Sequence, residues 1–190
     1  MLNAGKLPSS LMNRLLKKYY PHKNGSRVVI GPQVGQDCAV IDIGEKYLIS
    51  KTDPVTFATD EIGYYAVHIN ANDIATSGAK PLWFQATILL PEEKSDEKMC
   101  EKIMQDIAFE CESLGIEVIV GHTAVTIGLS RPIVVGSMLG EVDKAQLITS
   151  MGGKPGDALI LTKGIVLEGT SIIAREKEQE LIDKGISMDL

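Results

Sequence analysis

The 190-residue sequence carries 25 acidic against 19 basic side chains, for a formal net charge of −6 and a pI near 5.1, and 44% of its residues are apolar. With no basic cluster long enough to follow a phosphate backbone, nucleic acid is not an expected partner, while the apolar share suffices for one sizeable core. Cys38, Cys100 and Cys111 are odd in number. The last two lie eleven residues apart in a helical pattern, roughly 16 Å along its axis and beyond any disulfide. Reduced thiols fit a cytoplasmic protein. The opening M-L-N-A-G-K-L-P lacks an apolar signal core, and no apolar run approaches the ~20 residues of a membrane span. A soluble, unprocessed chain without a membrane partner is expected.

In chain order, Ser9 or Ser10 caps a short helix to Tyr20, with Leu11, Met12, Leu15, Leu16 and Tyr19 on one face, and Pro21 closes it. After the Asn24-Gly25 turn come three β-rich runs, Arg27–Ile30, Cys38–Ile43 and Tyr47–Thr52, which read as a meander. The loop between the first two, G-P-Q-V-G-Q-D-C, has glycines at 31 and 35 that permit close approach of backbone to a ligand just before Asp37. Lys51-Thr52-Asp53-Pro54 ends the third run, and Pro54 holds Asp53 extended with its carboxylate beyond the strand end. Asp60-Glu61 opens a helix whose stretch A-V-H-I-N-A-N-D-I-A-T-S-G-A-K-P runs from 66 to 81. Ala66, Val67, Ile69, Ile74 and Ala75 supply its apolar stripe, and Gly78 with Pro81 stops it.

His68, Asn70, Asn72 and Asp73 place polar groups in that apolar helix, where each needs a partner or a ligand. The run Leu82–Leu90 is apolar on both faces, as in a buried strand. Ser95 caps the next helix, in which Met99, Ile103, Ile107, Cys111 and Leu114 repeat about every four residues until Gly115. Ile116–Val120 is a strand leading into Gly121-His122-Thr123, and Pro132–Val142 is another, interrupted at Gly136 and Gly140. The order implies an α+β domain with helices on one side of a mixed or antiparallel sheet. Beyond Glu141 the composition shifts. A linker precedes a strand at Ala158–Thr162 and a helix from about Leu167 to Lys184, so the domain division is 1–148 and 149–190, the latter a linker and the truncated start of a second, α/β domain.

Three carboxylates, Asp37, Asp53 and Asp73, sit at element ends or on an apolar helix rather than on a solvated face. Separated aspartates converging from loops can supply the hard oxygens that Mg²⁺ takes alongside phosphates, although each alone also suits a turn or cap. Their carboxylates are expected to cluster. Neither common glycine-rich nucleotide loop is present. His122 is open to three readings: ligand, general base or hydrogen-bonded core histidine. Cys38 reads as sheet core.

Five segments in order, G-Q-D-C-A-V, K-T-D-P, V-H-I-N-A-N-D-I-A-T-S-G-A-K-P-L, V-G-H-T and K-P-G-D-A-L-I-L-T-K-G-I-V-L-E-G-T, resemble the motifs of the aminoimidazole ribonucleotide (AIR) synthetase superfamily. That group includes PurM, thiamine monophosphate kinase (ThiL), selenophosphate synthetase (SelD) and the hydrogenase maturation protein HypE, and the match is nearest to HypE-like and AIR-synthase-related proteins. The resemblance implies a PurM-type N-terminal domain whose sheet pairs with a second copy into a β-barrel, with ATP sites beside it. It implies Asp37, Asp53 and Asp73 as Mg²⁺ ligands, and Lys51, Thr52, Asn72, Gly121, His122 and Thr123 as nucleotide-binding residues. ATP and Mg²⁺ are the implied cofactors, and a homodimer and a hydrogenase maturation protein the implied partners.

The shared chemistry is phosphoryl transfer from ATP; in HypE the acceptor is a carbamoyl oxygen on a C-terminal cysteine, dehydrated to a thiocyanate. His122 stands where HypE and ThiL carry the aspartate of G-D-T, and the sequence to Leu190 shows no such cysteine. Two alternatives stand beside HypE-like chemistry. One is a non-catalytic dimeric module that retains the nucleotide fold. The other is a PurM-like ligase, disfavoured because S-K-T-D-P replaces that enzyme's D-G-V-G-T-K type of loop.

Overall fold

Runs of β-branched residues separated by glycine turns build the first half of a sheet. In the computed structural model, which describes residues 2–186, β1 (Val28–Ile30), β2 (Ala39–Asp42) and β3 (Lys46–Val55) form the expected antiparallel meander. β3 does not end at Thr52 but continues through Asp53 and Pro54. Past Ser50 it has no β2 neighbour, and such a locally free edge tolerates a proline.

The second half comes from β4 (Lys80–Pro91), β5 (Glu117–Thr126) and β6 (Ile133–Asp143). The six strands lie in the order β1-β2-β3-β6-β4-β5, with β4 and β5 parallel and every other pair antiparallel. This is the mixed sheet of an α+β fold. Burial alternates along β4 and β6: Phe84, Ala86, Ile88, Val134 and Met138 point into the core, whereas Trp83, Gln85, Thr87, Val135 and Leu139 are half-exposed. The expectation that Leu82–Leu90 is buried on both faces therefore fails, because helices cover one face of it alone.

That cover is α2 (Ile62–Thr76), which packs on β3, β6 and β4, backed by α3 (Glu97–Leu114). Ile62, Ala66, Val67 and Ile74 of α2 and Ile103, Ile107 and Cys111 of α3 are buried. Gly136 and Gly140 do not interrupt β6, as the sequence suggested; they are the seats on which α2 rests. A Cβ at Gly136 would stand 2.9 Å from the Phe84 ring and 3.0 Å from the Ala66 carbonyl oxygen, and one at Gly140 would stand 2.6 Å from Ile74 Cγ2. Without side chains at these two positions, the helix axis comes close to the sheet.

Several boundaries differ from the sequence reading. Helix α1 (Ser9–Tyr19) follows Pro8, and neither Ser9 nor Ser10 caps it. Asp96, not Ser95, caps α3: its Oδ1 accepts from Met99 N at 2.8 Å, while the Ser95 hydroxyl donates to the Pro91 carbonyl. Gly121, His122 and Thr123 lie inside β5 instead of after it. Ala158–Thr162 has no strand partner, and the single expected helix is two, α4 (Leu167–Glu176) and α5 (Glu178–Asp183), parted at Lys177.

Polar contacts tie α4 back to α2. Arg175 bridges Asp60 and Glu61, each at 2.9 Å, Tyr65 and Ser171 hydroxyls share a 2.9 Å hydrogen bond, and Glu176 accepts from Thr59 N at 2.6 Å. Cys38, Cys100 and Cys111 are free. No helix among the described residues is long and apolar enough to cross a membrane.

Candidate functional site

Register decides which of the singled-out residues can meet. Lys51, Asp53 and Val55 lie opposite Met138, Gly136 and Val134 of β6, on the helix-covered face, while Thr52 lies opposite Ser137 on the open one. Asp73 comes down to the same place from the last turns of α2. Lys51 Nζ is 2.7 Å from Asp73 Oδ2 and 3.2 Å from Asp53 Oδ2, so two carboxylates from different elements converge on one cationic atom.

The Lys51 side chain is 9% exposed, against 26% for Asp73 and 39% for Asp53. Desolvation pulls the Lys51 pKa down, but the hydrogen bonds and charges of Asp73 and then Asp53 outweigh it, leaving the pKa above the ordinary lysine value. The ammonium is firmly protonated.

Asp37 is exposed in the loop after Gly35 and takes no part in this triad. The adjacent thiol does reach it: Cys38 Sγ donates to the Asp73 backbone carbonyl at 3.3 Å, pinning the loop's end to the helix. Burial pushes the Cys38 thiol up, consistent with a core residue rather than a nucleophile. Among the described residues no three His, Cys, Asp or Glu side chains gather closely enough to hold a metal. The expected cluster of three carboxylates is in this structure a pair.

A pair fits magnesium. The ion commonly takes one or two carboxylates and fills its octahedron with phosphate oxygens and water, and a cation already sits where both Asp53 and Asp73 aim.

Asp73 and the exposed Asn72 also border an open cleft of about 720 Å³ between α2 and the 163–175 segment, with Tyr64 and His68 on the same wall and Lys163 and Arg175 opposite. Glu61 and Glu168 line it too, and Arg175 is held by Asp60 and Glu61, so Lys163 is the cation in this wall that could meet a phosphate. Lys163 and Arg175 went unremarked in the sequence because their relevance depends on α4 folding back; the one local signal is Lys163 within the T-K-G of the last motif. His68 is held by Glu110 Oε2 at 2.8 Å, joining α2 to α3. Asn70 is fully buried, donates to the Ala66 carbonyl at 2.8 Å, and keeps an Oδ1 without a partner among the described residues.

Thr52 donates to the Gly136 carbonyl at 2.9 Å. Gly121, His122 and Thr123 are exposed on β5, three strand positions from β3, roughly 14 Å at the usual interstrand spacing. His122 pairs with Thr87 on the open face, in a separate hollow of about 360 Å³ with Gln85, Val135 and Ser137. It is not a core histidine. Within one chain the structure thus joins Lys51, Asp53, Asp73 and Asn72, and leaves Gly121, His122 and Thr123 apart.

A six-stranded mixed sheet packed on one face by helices, with an acidic pair converging from a strand and a helix end, defines an α+β domain of mixed-sheet type. Residues 35–142, more than half of the chain, match the family described as AIR synthase related protein, N-terminal domain, and the chain belongs to that family. A Methanocaldococcus jannaschii protein whose name assigns it to hydrogenase expression/formation is 32% identical over 149 residues, covering 76% of this chain and 44% of its own length. Proteins named selenide, water dikinase (Rhizobium meliloti) and thiamine-monophosphate kinase (Escherichia coli) are similar as well. The chain spans about half the length of these curated relatives, 44–46%.

Among solved structures, HypE in a HypE–HypF complex superposes with a TM-score of 0.69 at 20% identity, covering 89% of this chain and 54% of that one. HypE in complex with ATP gives 0.64 at 22% identity, covering 75% and 44%. These likenesses establish the shared fold.

Proposed function

We propose that this chain is the Mg²⁺–ATP-binding part of a HypE-like enzyme that transfers a phosphoryl group and drives a dehydration in hydrogenase maturation. The observation that carries the reading is the convergence of Asp53 and Asp73 on one cation position. An ATP complex of a HypE with this fold, and the name of the M. jannaschii relative, support it. Asp53 and Asp73 would hold magnesium, with Asp37 at the border. Lys51 and Asn72 would face the nucleotide, joined by Lys163 across the cleft, while Thr52 lies on the open face of the sheet and Arg175 is already held by Asp60 and Glu61. Magnesium would supply charge neutralisation at the phosphates.

Residues 1–148 then form the nucleotide-binding and dimerisation domain, and 149–190 open a second. A homodimer accounts for the half-exposed open face of the sheet and for the exposed Val118, Val120 and Val125 on edge strand β5. Gly121, His122 and Thr123 would act at that dimer side. A hydrogenase maturation protein is the partner proposed, by likeness to the HypE seen with HypF.

Phosphoryl transfer also requires an acceptor held in line, which the residues gathered here do not provide. Binding without robust phosphate release is therefore expected from the 190 residues alone. Calorimetric titration of Mg²⁺–ATP, run beside a phosphate-release assay, tests this. Asp73→Asn should remove most of the binding and His122→Ala much less. No binding by the unaltered chain would refute the reading in favour of a non-catalytic interaction module.

A further inference from the structure

We propose that in the nucleotide-free protein the Lys51 ammonium occupies the divalent-cation position between Asp53 and Asp73, excludes the bare metal, and leaves it for the nucleotide's phosphates. The inference rests on reading this pair as the magnesium–nucleotide site. It starts from a geometric conflict. Lys51 Nζ lies 2.7 Å from one carboxylate oxygen and 3.2 Å from the other, and an ion bridging the same two oxygens at about 2.1 Å would fall inside the volume of the ammonium. Both cannot be present.

Charge then fixes the order of events. Two carboxylates and one ammonium leave a net deficit of one positive charge, which should attract a second cation. A bare divalent ion could enter only by driving a largely buried ammonium off both its carboxylate partners. A nucleotide changes this, because its phosphates offer the displaced ammonium a new anionic partner while the metal replaces it between the aspartates. Metal and nucleotide become coupled ligands, each strengthening the other. Lysine suits the task better than arginine would: a compact charge on a flexible four-carbon stem can move without the backbone, whereas a planar guanidinium demands paired acceptors.

The test uses Mn²⁺ as a paramagnetic probe, with the whole chain and no nucleotide, followed by electron paramagnetic resonance of the free ion. The unaltered protein should bind Mn²⁺ weakly. Lys51→Met should tighten it by roughly tenfold or more, within the usual span of coupling between sites, and Lys51→Met/Asp73→Asn should lose the gain. Unchanged or weaker Mn²⁺ affinity in folded Lys51→Met would overturn the proposal. A measurement on the unaltered chain guards against a misfolded variant: the ¹⁵N resonance of the Lys51 ammonium should stay put with Mg²⁺ alone and move when Mg²⁺ and the ATP analogue AMPPNP are added together. Movement with Mg²⁺ alone overturns the exclusion. Failure of AMPPNP to bind, with the Mn²⁺ gain of Lys51→Met intact, would instead overturn the nucleotide reading and support the lysine-for-metal exclusion.

Discussion

Asp73→Asn isolates the contribution of one carboxylate while keeping shape and most hydrogen-bonding capacity. Lys51 would lose its nearer charged partner at 2.7 Å and keep Asp53 at 3.2 Å. Removing one partner of a fully buried ion pair costs about 3–5 kcal/mol, and an exposed pair contributes about 1 or less. Here the lysine is largely buried, Asp73 is a quarter exposed, and a second carboxylate remains, so the expected loss is roughly 1–2 kcal/mol. Asp53→Asn should cost less than Asp73→Asn, because Asp53 is farther from the ammonium and more exposed, and solvent screens it. Urea titrations of the three proteins followed by circular dichroism give the ranking. If Asp53→Asn proves the more damaging, or if Asp73→Asn leaves the midpoint unmoved, the triad does not hold Lys51 as described.

Gly136→Ala should destabilise by roughly 1–3 kcal/mol, the usual cost of overpacking, since its Cβ would meet Phe84 and the Ala66 carbonyl; a thermal midpoint equal to the unaltered protein's would refute the close α2–β6 contact. Burial raises the Cys111 thiol from 9.0 to about 11, so between those values the unfolded chain loses a proton that the folded chain keeps, and stability should fall as pH rises through that window. Cys111→Ala should flatten part of that fall in denaturation midpoints, and parallel curves would contradict the assignment. Sedimentation should show a dimer that Val120→Lys on β5 dissociates, and a monomer at micromolar concentration for the unaltered chain would remove the dimer from the proposal.

Much of this architecture can be read from residue order. Alternating β-branched runs and glycine turns specify the meander, and the four-residue spacing from Met99 to Cys111 specifies α3. Local pattern stops short where the answer depends on a distant neighbour. Leu82–Leu90 reads as doubly buried because Trp83 and Leu89 are apolar, yet they face the uncovered side. Ala158–Thr162 has the composition of a strand but finds no strand to pair with among the described residues. Ser95 and Asp96 are both good caps, and one step of helix phase decides between them.

The same limit applies at the site. Asp53 and Asp73 stand out as carboxylates in apolar surroundings, but that Lys51 lies between them follows from the pairing of β3 with β6 and the height of α2 above it. His122 follows a run of valines and isoleucines and looks like the residue after a strand. Only the partner β4 shows that the strand continues.

The central position of β6 bears on how the chain reaches this fold. β3 and β4 never pair with each other; each bonds to β6, the last in sequence of the sheet's six described strands, which enters between them. During synthesis the meander and the β4-α3-β5 unit emerge first, each with an open sheet edge, and neither ladder can close until residue 143 has left the ribosome. Most of the ordering entropy must thus be lost before the contacts of β6 compensate for it, which makes folding slow and cooperative and leaves the waiting edges exposed to wrong pairings. A nascent chain arrested before Ile133 should be far more sensitive to protease than one released past Asp143, though it already carries Lys51, Asp53 and Asp73.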